Sequence, residues 1–146
     1  MFVETSKSKI RAAGILFRTP SGLLLLCQRG TKVSTPLLWG VPGGKVEPDE
    51  PPREAAEREI TEELGSMPKV CNWTGLVTVQ RIPSGYGIFY TYLYEVPENM
   101  VTDWKIDISS NNPWGHETNA FKWATKEEAL NLIDRKLTVS DIPLIS

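Results

Sequence analysis

The chain has 146 residues, 18 acidic and 16 basic side chains, and a formal net charge of −2 at pH 7. That length suits one compact domain, expected over residues 1–146, with a core that needs no disulfide or metal staple. The near-neutral balance excludes a general attraction to nucleic acid polymers or anionic membranes, so any phosphorylated ligand must be held by local groups and cations.

The two cysteines, Cys27 and Cys71, sit in apolar stretches without the clustered spacing of a zinc site. They read as reduced packing residues. The first apolar run begins only at Ile10 and is broken by Arg11, which does not resemble a secretory leader. Leu23 to Leu26 is far too short to span a bilayer. The expectation is a soluble cytoplasmic protein, monomeric or homodimeric, with no membrane partner.

Residues 1–8 are polar and expected to fray. Ile10 to Phe17 is apolar apart from Arg11 and reads as a strand. Thr19-Pro20-Ser21-Gly22 is a turn, and Leu23 to Gln28 a second strand, together predicting a hairpin. Four consecutive leucines imply burial on both faces. Gly30 to Leu38 is a loop, Trp39-Gly40-Val41 a short extended piece, and Pro42-Gly43-Gly44 a bend. A helix is predicted over Pro52–Leu64, with prolines in its first turn and Gly65 just past its end.

Val70 to Arg81 and Ile88 to Val96 read as strands around a Pro83-Ser84-Gly85 turn. Trp104, Ile106 and Ile108 alternate with charged residues, which predicts a further strand broken at Asn111-Asn112-Pro113. Thr118 to Trp123 is a strand, and Thr125-Lys126-Glu127-Glu128 has capping-box form, opening a helix to about Arg135. The tail from Thr138 reads as irregular. The order strands, helix, strands, helix predicts an α/β fold: a mixed sheet with a helix on each face.

On a wheel of about 100° per residue, Glu59, Glu62 and Glu63 share one face of the Pro52–Leu64 helix. Ala56, Ile60 and Leu64 form the neighbouring apolar stripe. Glu59 and Glu63 are like charges at i,i+4, which cost a helix a few tenths of a kcal/mol. Arg58 lies four residues from both Glu54 and Glu62 and can tie down neighbouring carboxylates. The spacing alone fits a solvated acidic face and a divalent-cation site equally well. Oxygen-only ligands favour Mg²⁺ or Mn²⁺ over zinc.

From Gly44, five residues lead to Glu50, and seven more lead to Arg58-Glu59-Ile60-Thr61-Glu62-Glu63-Leu64-Gly65-Ser66. This stretch resembles the Nudix box, GX5EX7REUXEEXGU, at every fixed position except Ser66, which stands where a bulky aliphatic usually packs beneath the loop and helix. The flanks resemble the family more loosely. The resemblance implies an α/β/α sandwich and a Mg²⁺-dependent, or Mn²⁺-dependent, hydrolase of a nucleoside diphosphate linked to another moiety. By position it makes Glu59 and Glu63 principal metal ligands and Glu62 a direct or water-bridged one. A backbone carbonyl at Gly43 or Gly44 completes the shell. It makes Arg58 the residue that orients the first glutamate, and Glu50 a structural tie between loop and helix.

Outside the box, Arg29 and Lys45 are candidate phosphate contacts; each also fits a solvated cation. Glu117 resembles the family's loop acid before a strand ending in tryptophan, an additional metal ligand or general base; a solvated loop glutamate is the alternative. His116, the sole histidine, reads as an ordinary loop residue, with a catalytic role through the histidine charge switch near neutral pH as the lesser alternative. Trp104, Trp114, Tyr86 and Tyr90 are the aromatic candidates for stacking on a base. A MutT-like nucleotide pyrophosphohydrolase is the leading expectation. Hydrolysis of ADP-ribose, a nucleotide sugar or a dinucleoside polyphosphate, and a non-catalytic Nudix ligand sensor, are the alternatives. Pro83 and Tyr86 lie near marker positions that point to two different substrates.

Overall fold

The computed structural model describes residues 10–33, 36–81, 87–139 and 142–144. Its strands are β1 (Ile10–Arg18), β2 (Leu24–Arg29), β3 (Trp39–Gly40), β4 (Gly43–Lys45), β5 (Asn72–Arg81), β6 (Gly87–Glu95) and β7 (Thr118–Ala124). The helices are α1 (Pro52–Leu64), the single turn α2 (Met100–Asp103) and α3 (Lys126–Asp134). The described strands form one seven-stranded mixed sheet with the path β3-β2-β1-β6-β5, with β4 added on β1 and β7 on β2.

The hairpin predicted from the Thr19–Gly22 turn forms, but β1 and β2 pair only where Arg18 faces Leu24. Beyond that point they part. β1 runs parallel to β6 along its length, from Ile10 opposite Gly87 to Arg18 opposite Glu95. β2 pairs antiparallel with β7 and β3. Central placement explains why Ala12 to Phe17 and Leu24 to Cys27 are buried without alternation.

Successive residues of β2 supply opposite faces. Leu25 and Cys27 join the core under α1, with Ala56, Ile60 and Leu64 from the helix and Ile15, Phe17, Tyr92 and Tyr94 from β1 and β6. Leu26 points the other way, into a second cluster with Ala124, Ala129 and Ile142 beneath α3. The sandwich of helix, sheet and helix expected from element order is therefore the one observed. α3 begins with both halves of its capping box: the Glu128 N–H donates to Thr125 Oγ1 at 3.1 Å and the Thr125 N–H to Glu128 Oε1 at 2.8 Å.

Three local readings are corrected. The glycine bend is a strand: β4 pairs with β1, Gly43 opposite Gly14 and Gly44 opposite Ala13. The stretch from Trp104 to Ile108 is not a strand. Its apolar side chains do enter the α1 core, but its backbone serves the end of α1, where the Asp107 N–H donates to the Leu64 carbonyl at 2.8 Å. The tail touches the sheet, Thr138 bridging to Trp39 in parallel. Pro83 and Tyr86, with the substrate markers read there, lie outside the described residues.

Candidate active site

α1 brings the box carboxylates to the sheet because its apolar stripe, Ala56, Ile60 and Leu64, is fully buried and fixes its rotation. Its first turn begins with Pro52, preceded by Pro51 as the N-cap, and its end is set by Gly65 at φ 88°. That left-handed conformation suits glycine. A second glycine decides how closely β4 approaches the helix: a Cβ on Gly44 would overlap the Glu59 carboxylate.

The predicted role of Arg58 has a geometric counterpart. Its Nε donates to Glu50 Oε2 at 2.9 Å and its Nη2 to Glu50 Oε1 at 3.1 Å, a two-pronged pair. Nη2 also donates to the Lys45 carbonyl at 2.9 Å. Nη1 reaches Glu59 at 3.1 Å and Glu62 at 3.2 Å. One planar cation thus joins the loop to the helix and orients two box carboxylates. Glu50 is a loop tie as well, accepting from the Glu47 N–H at 2.9 Å. The Arg58 bond is the main cause that holds its carboxyl below the usual range.

Glu59, Glu63 and Glu117 converge, each offering a carboxylate oxygen within 4.8 Å of the others. Glu63 is only 9% exposed. Burial first, then the charges of Glu59 and Glu117, push its carboxyl well above the ordinary value, while a bond from the Gly43 backbone N–H and the charge of Arg29 act in the opposite direction. Burial also raises Glu59, Arg58 pulling it down and Glu62 and Glu117 adding to the rise. Three carboxylates this close, one of them buried, repel one another, a repulsion that a proton or a bound cation relieves.

The remaining expectations divide. Arg29 ends β2 within electrostatic reach of Glu63, and the adjacent Gly30 N–H donates to the Glu117 carbonyl at 2.9 Å. Lys45 ends β4 and is exposed. Glu62 is held by Arg58 and stands outside the three-carboxylate cluster. His116 is exposed with Nδ1 3.2 Å from the Pro113 carbonyl, a loop contact. Trp104 is corrected from base-stacking candidate to core residue. It is 7% exposed, packs edge-on against Phe17 and Trp123 at centroid distances of 5.0 and 6.4 Å, and donates from Nε1 to Ser66 Oγ at 3.0 Å. The unusual Ser66 therefore has a structural explanation: it supplies the acceptor that a buried indole needs. Trp114, in contrast, is 44% exposed.

Sequence reasoning passed over one residue. Asn112 is 9% exposed, and its side-chain amide caps the end of α1 by donating to the carbonyls of Glu62 and Glu63. It was legible only as a strand breaker. No local pattern marks a cap for a helix that ends far upstream in the chain.

Comparison with known proteins agrees with this geometry. Residues 8–142 match the NUDIX domain family. The chain is 36% identical over 124 residues to the CTP pyrophosphohydrolase of Escherichia coli, covering 85% of this chain and 80% of that one. It is 25% identical over 117 residues to the 8-oxo-dGTP diphosphatase of the same organism, covering 79% of each. Among solved structures, a MutT protein from Methanosarcina mazei superposes with a TM-score of 0.64 at 24% identity, covering 89% of this chain and 85% of that one, a likeness of fold. The chain belongs to the Nudix family, and it is a hydrolase of phosphoric anhydride bonds.

Proposed function

We propose that the chain is a Mg²⁺-dependent nucleotide pyrophosphohydrolase of the MutT-like kind, with Mn²⁺ able to substitute, acting as a single cytoplasmic domain. The observation that carries this is the convergence of Glu59, Glu63 and Glu117 within 4.8 Å. The fit to a divalent cation rests on the donor set itself: hard oxygen ligands, partly buried, whose mutual repulsion the cation would relieve. Glu59 and Glu63 would hold it as principal ligands, with Glu62, Glu117 and a carbonyl of Gly43 or Gly44 as further ligands. When bound, the cation offsets the charge of a pyrophosphate and lowers the pKa of a water.

The protein's own groups supply the rest. Arg58 fixes the Glu59 and Glu62 carboxylates through Nη1. Glu117 would serve either as a further ligand or as the acceptor of the attacking water's proton. Arg29 and Lys45 bring positive charge to the phosphates. Among the described aromatic candidates, the exposed Trp114 fits base stacking better than the buried Trp104. The relatives named for CTP and 8-oxo-dGTP support a nucleotide as substrate.

The test is phosphate or pyrophosphate release from a panel of ribo- and deoxynucleoside triphosphates, 8-oxo-dGTP, ADP-ribose, nucleotide sugars and dinucleoside polyphosphates, with Mg²⁺ and with a chelator. Triphosphate cleavage that the chelator abolishes is the expected result. Preference for ADP-ribose, a nucleotide sugar or a dinucleoside polyphosphate would replace the substrate assignment. No turnover by folded, metal-loaded protein would leave the sensor reading.

A further inference from the structure

Glu63 and Glu117 belong to different elements. Glu63 sits in the last turn of α1, and Glu117 ends the short 3-10 turn Gly115–Glu117 before β7. Something must hold these elements in register. The last carbonyls of any α-helix lack partners within the helix. Here the Leu64 carbonyl takes the Asp107 N–H, and Asn112 serves the two before it: Nδ2 donates to Glu62 O at 2.8 Å and to Glu63 O at 3.2 Å. The same nitrogen donates to Asp107 O at 2.8 Å. A side-chain amide has two hydrogens, so three acceptors mean that one is shared.

The other end of the amide faces the loop. Asn112 Oδ1 accepts from the Trp114 N–H at 3.1 Å. The Asn112 carbonyl accepts from the Gly115 N–H at 2.9 Å, and the Glu117 N–H donates to the Trp114 carbonyl at 3.1 Å. Three carbonyls at one end and an N–H at the other determine which way the amide points. A continuous chain of hydrogen bonds therefore runs from the backbone of Glu63, through one buried side chain, to the backbone of Glu117. Aspartate lacks the donors, and serine reaches fewer carbonyls.

We propose that Asn112 is a positioning residue, locking the loop that carries Glu117 onto the helical turn that carries Glu63. It acts through the placement of Glu117 against the Glu63 turn and touches neither substrate nor cation. This rests on the reading of Glu59, Glu63 and Glu117 as a cation site, and it adds the element that sets their separation.

The experiment is a double-mutant cycle read by Mn²⁺ affinity, from the electron paramagnetic resonance signal of free ion, with no turnover involved. Wild type, Asn112→Ala, Glu117→Gln and the double variant are titrated, and circular dichroism melts confirm that each is folded at the titration temperature. Residues that orient metal ligands are worth about 10–100-fold in metal affinity, and Asn112→Ala is expected to lose at least about tenfold. Once Glu117 is neutral its placement no longer matters, so the double variant should bind within about twofold of Glu117→Gln. Asn112→Ser, which keeps one donor, should fall between wild type and Asn112→Ala, and it stands in for the alanine variant if that one unfolds. Losses that multiply in the double variant would show that Asn112 acts through general stability and would overturn the assignment alone. A wild type with no Mn²⁺ affinity would overturn the cation site and the assignment together.

Discussion

The carboxylates around α1 fall into two groups with opposite electrostatics. Glu50, Glu59 and Glu62 all hydrogen-bond to one guanidinium, and Arg58 is in turn held protonated, by Glu50 above all. Glu63 and Glu117 face Glu59 away from the Arg58 fork, and at Glu63 the Gly43 N–H and the charge of Arg29 offset only part of the rise. Glu63 is the most buried of the box glutamates, and its carboxyl is driven up by burial and by both neighbours. Glu59 belongs to both groups. The difference separates two jobs that the same residue type performs in one stretch of chain. Compensated carboxylates, those on Arg58, tie the loop to the helix, and the largely uncompensated ones form the cluster that a cation would join. A carboxyl buried among like charges is retained at a cost to folding, so its retention needs a reason beyond folding.

Substitutions at the uncompensated pole should cost activity without costing stability. Glu63→Gln is expected to lower turnover by about a thousandfold or more, about 4 kcal/mol of transition-state stabilisation. The metal-free variant should melt no lower than wild type, because a neutral amide replaces a buried, repelled carboxylate. Turnover near the wild-type level would remove Glu63 from the site. Glu117→Gln should lower turnover about a hundredfold, near 3 kcal/mol, again with little change in melting. A loss below about tenfold would return Glu117 to the loop as a structural residue.

At the compensated pole the pattern should reverse. Arg58→Ala leaves Glu50, Glu59 and Glu62 without their shared donor and opens the link to the Lys45 carbonyl. The side chain is 30% exposed, so solvent recovers part of the loss, and about 1–3 kcal/mol of stability should go. Turnover should fall about tenfold through the freed Glu59. Arg58→Lys keeps the charge but not the fork, and should recover less than half of the lost stability in a denaturant titration. Full recovery would mean that charge alone matters at this pole.

How far each pole was legible in sequence follows the range of its contacts. Most of the compensated pole is local: Arg58, Glu59 and Glu62 lie within about one turn of helix, so spacing alone places them together, while Glu50 on the loop was linked by the family resemblance. Pro52, Gly65 and the stripe Ala56, Ile60 and Leu64 are local signals too, and α1 was read with its observed bounds. The uncompensated pole depends on Glu117 meeting Glu63 across the fold, and only the family resemblance linked them in advance. Asn112 and the Trp104–Ile108 stretch were misread for the same reason. Their partners are the last carbonyls of α1 and the core beneath it, and a short-range pattern cannot name a distant acceptor. Trp104 is buried and Ile106 and Ile108 pack half-buried against the same core, but such packing does not require a neighbouring strand.

Ser66 offers the smallest and sharpest test, because both poles should be indifferent to it. The Nudix pattern favours a bulky aliphatic there, which predicts that Ser66→Val would improve packing and raise stability. The structure predicts the contrary. Trp104 is 7% exposed, and its Nε1 donates to Ser66 Oγ at 3.0 Å. Removing the acceptor leaves a buried N–H unpaired, at a cost of about 1–3 kcal/mol. Added methyl groups recover little of that, since they cannot accept from the indole's polar edge. Ser66→Ala and Ser66→Val should therefore both lower the melting temperature by several degrees, a shift typical of about 1 kcal/mol in a domain of this size. Ser66→Thr, which retains the hydroxyl, should stay closer to wild type. Mn²⁺ affinity should be unchanged in all three, since Glu59, Glu63 and Glu117 keep their partners. A valine variant that melts above wild type would show that the aliphatic preference outweighs the indole hydrogen bond even with Trp104 in place.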